Sequence, residues 1–205
     1  MPNPKPLALG CTYHIYNRGT NGETLFRDHR NYLFFLERYA HYIEPVADTY
    51  AYCLMKNHFH LAIRTRTAEE QAANQPAASR QEPFKLLSPS RQFGHLFNAY
   101  ARAFNLNTGR TGSLFDHPFH RKLVEDEGYF WRLITYIHRS AQHHGFVDDF
   151  REWPYSSYGA LISSRATRLC RETVLEGLGG REAFIAAHAS DGCHSIAGLL
   201  FEEDL

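Results

Sequence analysis

Cysteine and lysine are scarce in this chain, net charge is absent, and no long apolar run occurs. Its four cysteines, Cys11, Cys53, Cys170 and Cys193, are widely separated and form no CxxC pair. That spacing excludes a disulfide framework and a zinc knuckle. The 22 basic and 22 acidic residues cancel, so no net field draws the whole molecule to a polyanion. No apolar stretch is long enough for a membrane span. The opening MPNPKPLALG has no apolar signal core, so a cytoplasmic location without a membrane partner is the expectation.

A core, by contrast, is well supplied. Of 205 residues, 43% are hydrophobic and 14% aromatic, a composition for an ordered globular protein. The neutral balance also conceals an asymmetry. Residues 1–123 hold 15 Lys and Arg against 9 Asp and Glu, while residues 124–205 hold 7 against 13. Eighteen of the basic residues are arginine, the side chain suited to forked phosphate contacts.

The patterning gives an order of elements. CTYHIYNRG (11–19) reads as a first strand. Tyr32, Phe35, Leu36, Tyr39 and Ile43 recur at helical spacing from Asn31 until Pro45 stops them. VADTYAYCLM (46–55) and the run from His58 read as a hairpin. Residues 67–87, rich in Ala, Gln, Glu and Pro, read as a flexible surface insertion. A second helix is expected from Ser88 and Pro89, with a stripe of Phe93, Leu96, Phe97, Tyr100 and Phe104. A last strand is expected near 119–124. Strand, helix, strand, strand, helix, strand is the order of a ferredoxin-like split βαβ fold of the α+β class, an antiparallel sheet with two helices on one face. An added helix is expected from Asp126 to His143, closed by Gly145. Shorter helices are expected near 155–163 and 181–188. The chain divides at this level into a domain over 1–160 and a small helical C-terminal extension over 161–205.

MKNHFHLAIRTR (55–66) is the stretch that points to chemistry. Side chains alternate along a strand, so His58, His60, Ala62, Arg64 and Arg66 share one face and Phe59, Leu61 and Ile63 the other. The apolar face suits the helices. The histidines then project from the opposite, uncovered face, where a metal, an anion or both would answer them.

NHFHL after a strand, YHIYNRG, RTGSLFDHPF and YIHRSAQHHGFVDDFREWPYSSY, taken in order over residues 11–160, resemble the REP-associated tyrosine transposases. These are single-tyrosine HUH transposases of insertion sequences. The resemblance implies a metal-dependent endonuclease and strand-transferase acting on single-stranded, hairpin-containing DNA through a 5′-phosphotyrosyl intermediate. It implies a divalent cation, Mg²⁺ or Mn²⁺, on His58 and His60, and Tyr136 as the nucleophile on the added, catalytic helix. The family places an amide ligand four residues after the tyrosine. Here that position is Ser140, with a shorter hydroxyl, and His143 on the same flank is the candidate substitute. Arg18, Lys56, Arg64, Arg66 and Arg110 are candidates for phosphate contacts, and Tyr13, Tyr16 and Phe119 for base stacking. The alternative is a DNA-hairpin-binding protein descended from a transposase, with cleavage weakened or lost. A monomer holding its tyrosine in cis is favoured over a homodimer.

Overall fold

The computed structural model describes residues 5–74 and 84–189. Four strands, β1 (Thr12–Arg18), β2 (Ala47–Leu54), β3 (His58–Thr65) and β4 (His120–Leu123), pair antiparallel in the order β2-β3-β1-β4. Helices α1 (His29–Ile43) and α3 (Pro89–Thr108) cover one face. This is the ferredoxin-like arrangement. Tyr13, Ile15, Phe59, Leu61 and Ile63 alternate onto that face and bury against Phe35, Ile43, Phe93, Phe97 and Tyr100. Period-two strand patterning thus meets period-3.6 helix patterning in one core.

Local chemistry sets the helix ends. Helix α1 begins at His29 rather than Asn31, because Asp28 is its cap and accepts from Asn31 N at 3.1 Å. Asn31 Oδ1 accepts in return from Asp28 N at 3.4 Å. This is a capping box, satisfying donors that the first turn leaves open. Helix α3 starts with Pro89 and ends on Gly109, whose φ of 68° is the left-handed conformation that closes helices. The expected insertion over 67–87 is partly ordered. Thr67 and Glu70 form a second capping box at the head of α2 (Ala68–Ala73). Buried Gln71 exchanges bonds with Leu87 N and O at 3.1 and 3.3 Å, tying the two ends of the segment together. Residues 75–83 of the expected insertion lie outside the described residues.

The opposite sheet face is covered, contrary to the sequence expectation. Helix α4 (Glu127–His143) lies across it, burying Leu133, Ile134, Ile137 and Ala141 on Ala51, Cys53 and Ala62. Helices α5 (Tyr158–Ile162), α6 (Arg171–Gly177) and α7 (Arg181–Ala189) add Tyr158, Leu161, Val174 and Phe184 to the same second core. The apolar stripe of α4 needs a surface, and small Ala51 and Ala62 let it approach. Helix α6 carries one fully buried residue, Val174, and so has no periodicity to read in advance. Residues 190–205 lie outside the described residues.

Candidate metal and tyrosine site

Strand alternation places His14, Tyr16, His58 and His60 together under α4. Tyr16 is directly opposite His60 in the β1–β3 register, and Arg18 is opposite His58. His58 is 5% exposed and His60 fully buried. His58 Nδ1 lies 2.8 Å from Asn57 Oδ1. A carbonyl oxygen can only accept, so Nδ1 carries the proton and Nε2 presents its lone pair. That Nε2 is buried and has no hydrogen-bond partner. A buried nitrogen in this condition is costly unless something binds it.

The electrostatics keep these rings neutral. Burial first, then His144 and Arg18, pushes His58 down to about 3. Burial, then His14, His58 and His144, holds His60 well below the ordinary histidine value. His144 is lowered by burial and by His143. Neutral imidazoles are the form that ligates a cation.

Helix α4 brings up the remaining parts. Asp126 caps its start, accepting from Tyr129 N at 2.6 Å, and Gly145 turns the chain beyond its end with φ of 69°. Tyr136 is 3% exposed. Its ring stands edge-on to His60 of the same chain, with centroids 5.6 Å apart. His143 stands beside the tyrosine at 6.2 Å. Ser140 Oγ donates back to Tyr136 O at 2.9 Å, an intrahelical bond. A third histidine, His144, joins the pair: His58, His60 and His144 offer three ligand atoms that all lie within 4.8 Å of one another. His143 is not in that group. The residues present therefore fit a divalent cation with nitrogen ligands, on a buried open lone pair and on the donor set alike.

The basic candidates separate into two groups. Arg18 is near the histidines and pairs with Asp116 at 2.7 Å. Lys56 is exposed, 6.0 Å above the Phe146 ring, and Phe146 borders His58. Arg64 and Arg66 lie at the other end of β3, roughly 20 Å along the strand from His58. Arg64 pairs with Glu70 at 3.0 Å and Arg66 with Asp48 at 2.7 Å. Arg110 is tied to Glu23 and to its own loop carbonyls. Of the stacking candidates, only Tyr16 lies on the histidine face, stacked between His14 and His120. Tyr13 and Phe119 are in the first core.

From the sequence, His14 and His144 read as surface histidines and Asn57 drew no reading; His14 is instead fully buried, and His144 stands with His58 and His60. For His14 the signal is alternation from Tyr16 and Arg18 along β1. For His144 it is one further helical turn beyond Ser140. Asn57 carries no signal, since only the register puts its amide on His58.

No family model matches the chain. A curated Haemophilus influenzae protein named "Putative REP-associated tyrosine transposase" is 24% identical over 113 residues, which is 54% of this chain and 58% of that protein. The chain thus matches a little over half the length of that relative. A solved structure of a REP-associated tyrosine transposase bound to a REP hairpin matches in fold. Its TM-score is 0.60 at 12% identity, over 80% of this chain and 86% of that one. The chain resembles the REP-associated tyrosine transposases. Ser140, where the resemblance implies an amide ligand, bonds its hydroxyl to the helix backbone. His144 stands one turn on, within the group of three histidines.

Proposed function

We propose that this chain is a hairpin-DNA-binding, metal-dependent single-strand endonuclease and strand-transferase with Tyr136 as nucleophile. The observation that carries the reading is the placement of Tyr136 against His60, in the same chain as the His58, His60 and His144 cluster. In this reading the Tyr136 phenol oxygen attacks the scissile phosphorus, the bond to the 3′ oxygen breaks, and the 3′ oxygen leaves as a hydroxyl. The phenol proton passes by way of solvent to the departing 3′ oxygen, and the DNA 5′ end remains on the tyrosine as a phosphodiester. A 3′-hydroxyl attacking that phosphotyrosyl bond restores the phenol and joins the strand without ATP. Mn²⁺ or Mg²⁺ on the three histidines would draw charge from the phosphate oxygens, and the imidazole donors favour Mn²⁺. Asn57 holds His58 in the ligating tautomer. Lys56 and Arg18 supply positive charge at the histidine end of the sheet for the backbone.

The test is covalent trapping. Full-length chain incubated with 5′- and 3′-labelled hairpin DNA and Mn²⁺ should give an SDS-stable band that Tyr136→Phe abolishes while hairpin affinity stays within about twofold. The depth of Tyr136, 3% exposed, favours a second reading, a hairpin-binding protein without cleavage. Salt-sensitive hairpin binding with no covalent band in the wild type would establish that reading instead.

A further inference from the structure

His60 has a neighbour that the transfer chemistry does not use. His14 Nε2 lies 3.1 Å from His60 Nδ1, and His14 is fully buried. Its ring is held by Tyr16, stacked at 4.9 Å and 30°, and Tyr16 is in turn stacked on His120 at 4.8 Å.

Two ring nitrogens 3.1 Å apart meet with one proton between them, and its position decides what His60 can do. With the proton on His14, His60 Nδ1 accepts and its own ring proton sits on Nε2, which then cannot ligate. With the proton on His60 Nδ1, Nε2 presents a lone pair. His58 is wired in the second way, with Nδ1 donating to Asn57 and Nε2 left open. The same wiring in His60 would aim two like nitrogens at one cation, with an acceptor behind each ring.

We propose that His14 is a positioning residue, which accepts the His60 Nδ1 proton and thereby holds His60 as an Nε2 ligand. This rests on the metal reading given above. The pairing spans two strands, so a residue of β1 sets the chemistry of a residue on β3. Outer partners of this kind change metal affinity by about 10–100-fold.

The experiment has two arms. In metal-free, ¹⁵N-histidine-labelled full-length protein, long-range ¹H–¹⁵N spectra should show the His60 proton on Nδ1. A proton on Nε2 overturns the proposal. In the second arm, Mn²⁺ binding is titrated for wild type, His14→Leu and His14→Gln, with thermal melts confirming that each is folded. His14→Leu removes the acceptor and should weaken Mn²⁺ binding about tenfold. His14→Gln keeps a carbonyl oxygen and should recover affinity to within about threefold of wild type. Equal affinity for wild type and His14→Leu overturns the proposal, as does failure of a folded His14→Gln to recover. Wild type that binds no Mn²⁺ overturns the metal reading itself, while the metal-free spectra still decide the tautomer.

Discussion

In the proposed metal site, the hydrogen bond on one ring nitrogen of a histidine sets what the other nitrogen can do. His58 gives its Nδ1 proton to Asn57, which leaves the buried Nε2 with its lone pair open. His144 completes a group with it, whereas Ser140 turns its hydroxyl to the Tyr136 carbonyl. The prediction at this scale separates the three α4 candidates by Mn²⁺ titration. His144→Ala should weaken binding by about tenfold or more, the scale set by losing a ligand's support. His143→Ala should leave it within about twofold. Ser140→Asn should give no gain, because a longer amide at a fully buried position must first find room beside the helix. Tighter Mn²⁺ binding by Ser140→Asn would return position 140 to the ligand set.

Among the elements, the turn after β1 shows how closely backbones approach near the site. Gly19 has ordinary dihedrals, φ −67° and ψ 136°, so conformational freedom is not its purpose. A Cβ there would lie 2.0 Å from the Glu23 backbone oxygen. Gly19 N also donates at 2.8 Å to the backbone oxygen of Asn57, the residue whose side chain holds His58. Gly19→Ala must therefore move backbone and should cost about 1–3 kcal/mol, the usual range for overpacking. Urea denaturation measures this, and an unchanged midpoint would show that the turn relaxes freely. The ion pairs of Arg64 and Arg66 with Glu70 and Asp48 make a different point about elements. These side chains tie β3 to β2 and α2, a structural use of residues that strand alternation alone placed beside the histidines.

Across the whole molecule, a second buried histidine pair links the sheet to the C-terminal helices. Phe184 O accepts from His188 Nδ1 at 2.7 Å. His188 Nε2 therefore accepts from His138 Nδ1 at 2.8 Å, and His138 Nε2 from Ser157 Oγ at 2.7 Å. Ser157 Oγ in turn accepts from Tyr52 N at 2.8 Å, on β2. Ser157 Oγ also lies 3.2 Å from Tyr52 O, and the chain of bonds joins α4, α5 and α7 to the sheet. Burial pushes His188 down to about 4; its bond to Phe184 opposes this and Arg139 adds to it. His138 is lowered by burial and by His188. Between about pH 4 and the unfolded value of 6.5, the unfolded chain binds more protons than the folded one. Stability from His188 is therefore complete above pH 6.5 and is lost as pH falls toward 4. The loss is about 1.4 kcal/mol per pH unit for such a group, roughly 3 kcal/mol in all. Urea melts at pH 7 and pH 4.5 should show wild type losing more stability than His188→Gln. Equal losses would mean that His188 is protonated in the folded state without penalty. Among the described residues no helix is long and apolar enough to cross a membrane.

Much of the fold was legible because local periodicity carries it. Alternation in HFHLAI and the helical stripe of Phe93, Leu96, Phe97, Tyr100 and Phe104 each name a face, and the order of elements names the sheet. The His58 and His60 pair could be singled out as candidates because spacing along one strand needs no partner to be read, and Tyr136 as a candidate through the resemblance. What covers the histidine face was not legible, since the stripe of α4 says that it buries against something without saying what. His14, Asn57 and His144 come from three separate stretches of chain, and their bearing on His58 and His60 depends on strand register and on the end of a packed helix. The sequence by itself determined which side chains share a face of each element, because that follows from backbone geometry over a few residues. Only the tertiary structure decided which faces meet, which nitrogen of a buried ring carries its proton, and which arginines are bound to carboxylates, because those depend on atoms far apart in the chain.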